Sequence, residues 1–142
     1  MLHRAPLHLF FFILTVCLAF ALGGCKAKAS LDADVDHLLT AIATADYEHF
    51  KADAHPNLIQ ETTKAEFDEM VGSLKKLGTL TSKTMKGIET SSNKDLKTGV
   101  TSQVSKGNYA LVFTNGKANL AIKSISGKVA GAHFSNVEFA KK

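Results

Sequence analysis

The chemistry of this chain changes abruptly at Gly78, and that change constrains its fold more than any other feature. Up to Leu77, apolar residues recur every three or four positions, the period of a helix with one buried face. From Thr79 onward, threonine, valine, isoleucine and serine run between glycine and asparagine punctuation, the pattern of antiparallel strands and tight turns. Helices segregated before strands predict an α+β domain: two or three N-terminal helices packed on a curved antiparallel sheet of four to five strands.

Within the helical half, Ser30 is placed as an N-cap, with Asp32, Asp34 and Asp36 where negative charge complements a helix N-terminus. Leu31, Val35, Leu38, Leu39 and Ile42 form one apolar stripe. Continuing that helix would carry Asp46 and His49 into the stripe, so a break falls near Ala45. Asp46 then caps a short second helix whose Tyr47 and Phe50 point inward, and His55-Pro56 stops it. Thr63-Lys64-Ala65-Glu66 reads as a capping box, followed by Phe67, Met70, Val71, Leu74 and Leu77 on one face and closed by Gly78.

In the strand half, strands are expected near Leu80 to Glu89 and Lys97 to Val104, separated by a turn at Ser92-Asn93-Lys94-Asp95. Asn115-Gly116 carries the strongest hairpin signal, a type I′ turn pairing Phe113 with Ala118, Leu111 with Leu120 and Tyr109 with Ile122 on one face. A second hairpin turns at Ser126-Gly127-Lys128. A three-residue loop sets Phe134 opposite Leu120, and a two-residue loop sets His133 there; Phe134 is favoured, because histidine buried beside leucine needs a hydrogen-bond partner.

The N-terminal segment has a basic start at Arg4, an apolar run from Leu7 to Leu22 and small residues after it, the parts of an export signal. Sixteen residues of helix cover roughly 24 Å, short of the roughly 30 Å core of a bilayer, so removal is favoured over an uncleaved span. Ala19-Phe20-Ala21 satisfies ordinary signal peptidase. The run Leu22-Gly23-Gly24-Cys25 resembles the lipobox of bacterial lipoproteins. That resemblance implies cleavage between Gly24 and Cys25 and a diacylglyceryl group on the Cys25 thiol, whose thiolate is the strong nucleophile the reaction needs. Cys17, preceded by bulky Val16, lacks the required small neighbour.

The chain then divides into a lipoprotein signal peptide at 1–24, a lipidated N-terminus and tether at 25–30, and one α+β domain at 31–142. A tether from Lys26 to Ser30 spans at most about 17 Å, so the domain sits close to the membrane. Lys26 follows the cysteine where an aspartate would favour inner-membrane retention in enterobacterial sorting, which points to the periplasmic face of an outer membrane; in a Gram-positive host the domain would face the extracellular side. Cys17 leaves with the signal and Cys25 takes lipid, so packing alone stabilises the domain. Without residues 1–24 the only arginine is gone and sixteen scattered lysines face thirteen acidic residues, which gives nucleic-acid binding no support.

Leu38-Leu39-Thr40-Ala41, the Ala45-Asp46-Tyr47 break, the Leu77-Gly78 exit and Gly127-Lys128-Val129-Ala130-Gly131 together resemble small envelope proteins of the cystatin-like and nuclear-transport-factor-like superfamily, over about residues 31 to 136. The resemblance implies a cone whose sheet and helices can enclose a pocket. Relatives of this shape include enzymes, carriers and interaction modules, so fold does not decide function.

Catalytic patterns are sparse. His37, His49, His55 and His133 form no H-x-H or H-E-x-x-H pattern, and neither a G-x-S-x-G elbow nor a phosphate-cradling glycine loop is present, so no metal and no cofactor are expected. Pocket-bearing relatives suggest one acid/base pair, Asp46 and His133, against the simpler roles of helix cap and exposed strand residue. A ligand would meet Tyr109, Leu111, Phe113, Leu120 and Ile122, unless these fill a closed core, the account favoured here. The expectation is a membrane-anchored, non-enzymatic envelope lipoprotein, held on the bilayer through the Cys25 lipid and binding a protein partner or a small envelope ligand.

Overall fold

A computed structural model describes residues 7–141, with side chains from Cys25 onward. Arg4, and the side chains of Cys17, Ala19-Phe20-Ala21 and Leu22-Gly23-Gly24, lie outside the described residues. The elements are α1 (Leu7–Thr44), α2 (Tyr47–Asp53), α3 (Pro56–Glu61), α4 (Lys64–Lys75), β1 (Leu80–Lys94), β2 (Thr101–Phe113), β3 (Gly116–Ile125) and β4 (Lys128–Phe139). The four strands form one antiparallel meander in the order β1-β2-β3-β4, and the helices cover one face of it. The architecture is α+β, as the switch at Gly78 predicts.

Helix packing follows the sequence periodicity. Leu31, Val35, Leu38 and Ile42 are buried, as are Phe67, Val71, Leu74 and Leu77, and Leu39 and Met70 pack at the margin. Asp46 caps α2 by accepting from the His49 N–H at 2.9 Å. Phe50 is buried between Tyr47 and Phe67, with ring centroids 5.9 and 5.1 Å away. The capping box of α4 is complete, with the Glu66 carboxylate accepting from the Thr63 N–H at 2.7 Å. That bond holds the Glu66 carboxyl below its ordinary value. Gly78 leaves the helix at φ +83°, where a side chain is strained.

Two expectations about the helices are corrected. Ser30 is no N-cap, and residues 25–30 are no extended tether, because both lie inside the continuous α1. His55-Pro56 does close off α2, but it also opens α3: Pro56 occupies the first turn, and His55 Nδ1 accepts from the Asn57 N–H at 3.3 Å. Proline is preorganised for a helix start, so one dipeptide both stops and starts a helix.

The strands differ from expectation in extent and register. β1 runs through Ser92, Asn93 and Lys94, and the turn moves to residues 95–100, where the Asp95 carboxylate accepts from the Lys97 N–H at 2.7 Å. The separate strands expected around Lys97 to Val104 and Tyr109 to Phe113 are one element, β2. At the next hairpin the turn is Thr114-Asn115, pairing Phe113 with Gly116, Leu111 with Ala118 and Tyr109 with Leu120. This is a shift of two residues from the type I′ register, so every side chain keeps its predicted face while every partner changes.

The reason is tertiary. The Thr114 and Asn115 N–H groups donate to Thr79 and Leu77 carbonyls at 2.9 and 2.8 Å, so the turn is held by the α4 exit. Gly116 is needed for close approach: a Cβ there would sit 2.8 Å from Leu77 Cδ2 and closer still to the Glu138 carbonyl oxygen.

Positive φ at both central positions occurs instead at Ser126-Gly127, at +50° and +76°. That loop has two residues, yet Phe134 faces Leu120, because a bulge between the Lys123 and Ser124 pairings adds the missing residue. Phe134 joins the core margin and His133 is exposed, as favoured, but by a bulge rather than a longer loop.

Gly116→Ala is expected to lower stability by about 1–3 kcal/mol, since the opposing Glu138 backbone cannot step aside. Gly87→Ala, whose Cβ meets nothing within 4 Å, should change it by less than about 0.5 kcal/mol. Urea midpoints of the two variants check the contrast, and equal shifts would refute it.

Candidate functional site

The three aspartates placed at a helix start do a different job. From one turn of α1, the Asp36 carboxylate pairs with Lys83 of β1 at 2.5 Å, Asp32 accepts from the Tyr109 hydroxyl of β2 at 2.9 Å, and Asp34 accepts from the Ser124 hydroxyl of β3 at 2.5 Å. Ser124 is a buried polar residue. Lys83 also reaches the Asp32 carbonyl at 3.2 Å, so β1 and β2 converge on the same helical turn. Beside them Gly107 lets α1 lie close, since a Cβ there would stand 2.6 Å from the buried Leu31.

The residues expected to meet a ligand lie beneath this seat. Tyr109, Leu111, Phe113, Leu120 and Ile122 share the inner face of the sheet and are all buried in the hydrophobic core beneath α1. They fill the interior. Burial, followed by the bond to Asp32, pushes the Tyr109 phenol well above its ordinary value of 10.0. A partly apolar groove of about 580 Å³ lies at the edge of this core between α1, α4 and the start of β1, bordered by Leu39, Ala43, Lys75 and Thr79 and reaching Phe113.

No hydrogen bond or ion pair joins the suggested acid/base pair. Asp46 is exposed and engaged as the α2 cap, while His133 is exposed on β4. Their geometry is that of the simpler roles.

A different group of side chains does converge. His37 of α1 and His49 and Asp53 of α2 bring one donor atom each to within 4.8 Å of one another. His37 Nδ1 lies 2.9 Å and His49 Nε2 3.2 Å from the same oxygen, Asp53 Oδ2. The imidazole rings stand edge to face, with centroids 6.1 Å apart. Local sequence carried half of this signal: His49 and Asp53 are four apart, hence on one face of a helix. His37 joins only through the packing of α1 on α2. His37 and His49 both lie at the surface, and the fold brings them together on one carboxylate.

Cys25 is exposed on α1. α1 and β2 run side by side in the same direction: Ala27 and Ser30 border one cavity with Gln103 and Ser105, and Leu39 and Ile42 border another with Phe113. The β1–β2 hairpin continues past the end of β3, whose last partner in β2 is Val104, and so projects as a two-stranded arm from the Cys25 end of the domain. At its tip Leu96 is 93% and Val100 60% exposed, with Lys94 and Lys97 flanking Leu96's neighbour Asp95 and Leu96 itself. Among the described residues no helix is long and apolar enough to cross a membrane. No family model, curated protein or solved structure gives a significant match to this chain.

The Tyr109–Asp32 bond makes an alkaline prediction. An unfolded tyrosine ionises near pH 10, whereas Tyr109 in the fold keeps its proton, so its stabilisation is complete below about pH 10 and is lost as pH rises beyond it. Tyr109→Phe should cost about 1 kcal/mol at neutral pH and flatten the loss of stability above about pH 10. Urea unfolding of both proteins across that range checks it; parallel pH profiles would rule it out.

Proposed function

We propose that this chain is a bacterial envelope lipoprotein, anchored through a lipid on Cys25, whose α+β domain acts as a binding or accessory module at the membrane surface rather than as an enzyme. The observation that carries the reading is the run Leu22-Gly23-Gly24-Cys25 behind an apolar, basic-started leader. Exposure of Cys25 supports it, since the thiol is open to modification. The resemblance to cystatin-like and nuclear-transport-factor-like envelope proteins belongs to the same proposal. A filled core and an engaged Asp46 favour a module that works through its surface.

The fold gives this reading an orientation. α1 is helical from Cys25 into Leu31, so those six steps rise about 9 Å and leave little slack between lipid and domain. The paired arm extends from Gln103 to Thr101, about 7 Å at 3.3 Å per residue, with the turn at residues 95–100 beyond it, whereas Cys25 lies only about 3 Å beyond Ala27 along the helix. The tip therefore reaches the level of the lipid or past it. Exposed Leu96 between Lys94 and Lys97, with exposed Val100 nearby, suits the boundary between acyl chains and anionic headgroups. In this reading the domain stands on two points, the Cys25 lipid and the arm.

Cys25→Ser is expected to abolish lipid labelling and move the protein from the membrane to the soluble fraction; retained labelling and attachment would sink the proposal. The chain contains no tryptophan, so Leu96→Trp provides a single reporter. In the acylated protein reconstituted into vesicles, brominated lipids should quench this tryptophan. They should leave one at Val137, at the opposite end of the sheet, unquenched. Equal quenching at both positions would remove the arm from the membrane.

A further inference from the structure

We propose that His37, His49 and Asp53 bind one divalent cation of the zinc class, in a site with three protein ligands and an open outer position. The donors come from two helices that are fixed independently of the cluster. α1 is held on the sheet by its aspartates, and α2 by its Asp46 cap and the buried Phe50. Within α2, His49 and Asp53 lie one turn apart on the face turned to α1, where His37 meets them.

The spacing suits a small tetrahedral ion. Ligand atoms at about 2.0–2.2 Å from zinc stand about 3.3–3.5 Å from one another. Here the two nitrogens lie 2.9 and 3.2 Å from Asp53 Oδ2, and all three atoms fall within 4.8 Å, so small side-chain rotations centre an ion among them. Two imidazoles and a carboxylate form a donor set for zinc, copper(II) or nickel(II) rather than for calcium or magnesium, which prefer all-oxygen cages. Side-chain exposures of 56% for His37 and 38% each for His49 and Asp53 leave the outer side open to water or to a group from another molecule. A helix-to-helix ion pair would need only one of the two histidines. Both converge on a single oxygen.

The site is independent of the lipid on Cys25, so its test is separable from that of the anchoring. The lipoprotein is purified from membranes in detergent, stripped with a chelator and titrated with Zn²⁺ by calorimetry, with Co²⁺ absorption as a reporter of tetrahedral nitrogen and oxygen ligation. The expected result is one Zn²⁺ per chain and a Zn²⁺-dependent rise in Tm. Asp53→Asn and the exposed-site variant His37→Gln should each weaken binding more than about tenfold and abolish the rise. His55→Ala and His133→Ala should leave both unchanged, as should Cys25→Ser. The proposal is overturned if wild-type protein shows no stoichiometric binding, or if folded Asp53→Asn and His37→Gln bind Zn²⁺ like the parent. Lower stability in those variants without any Zn²⁺ effect on the wild type would assign the cluster to an ion pair alone.

Discussion

Asp32, Asp34 and Asp36 reach β2, β3 and β1 from a single turn of α1, and the position of every other element follows from that seat. A helix laid on a sheet by apolar contact alone has freedom to slide and rotate, because dispersion and hydrophobic burial are non-directional. Three directional bonds to three strands remove that freedom. Gly107 lets the helix approach, and Leu31, Val35, Leu38 and Ile42 then close the core over Tyr109, Leu111 and Leu120. With α1 fixed, the short α2 must pack beside it through Phe50, which is what brings His49 and Asp53 to His37.

The same seat decides how the sheet is used. Its inner face is filled under α1, and two of the places open to partners are at the margins: the arm at the Cys25 end and the α1–α2 flank. Both are surface features, and they are separate. Cys25 and the arm share one end of the domain, while His37 stands twelve residues further along α1, about 18 Å at helical rise. The histidine cluster therefore lies well away from the Cys25 end of the domain.

Much of the fold was legible locally. The Asp46 break, the Thr63-Glu66 capping box and the Gly78 exit each depend on a few neighbouring residues, and each stands where the pattern put it. Strand faces were legible too, since alternation survives a shift of two. What failed was pairing. Asn115-Gly116 carries the composition of a type I′ turn, but the α4 exit captured Thr114 and Asn115, and Gly116 is glycine because β4 and Leu77 crowd it. Phe134 was placed correctly through the wrong device, since a bulge leaves little trace in a run such as Val129-Ala130-Gly131. The aspartates were misread for a similar reason: charge near a helix start satisfies a local rule, and nothing local reveals a tyrosine or a serine seventy-seven or ninety residues away.

By itself the sequence determined the helix-then-strand order, the apolar stripes and the caps, because each rests on period or on adjacent residues. Tertiary structure alone decided the hairpin register, the use of the three aspartates, the direction of the arm and the meeting of His37 with His49 and Asp53. Those depend on distances between segments far apart in the chain, and such distances are set by how one helix is seated on four strands.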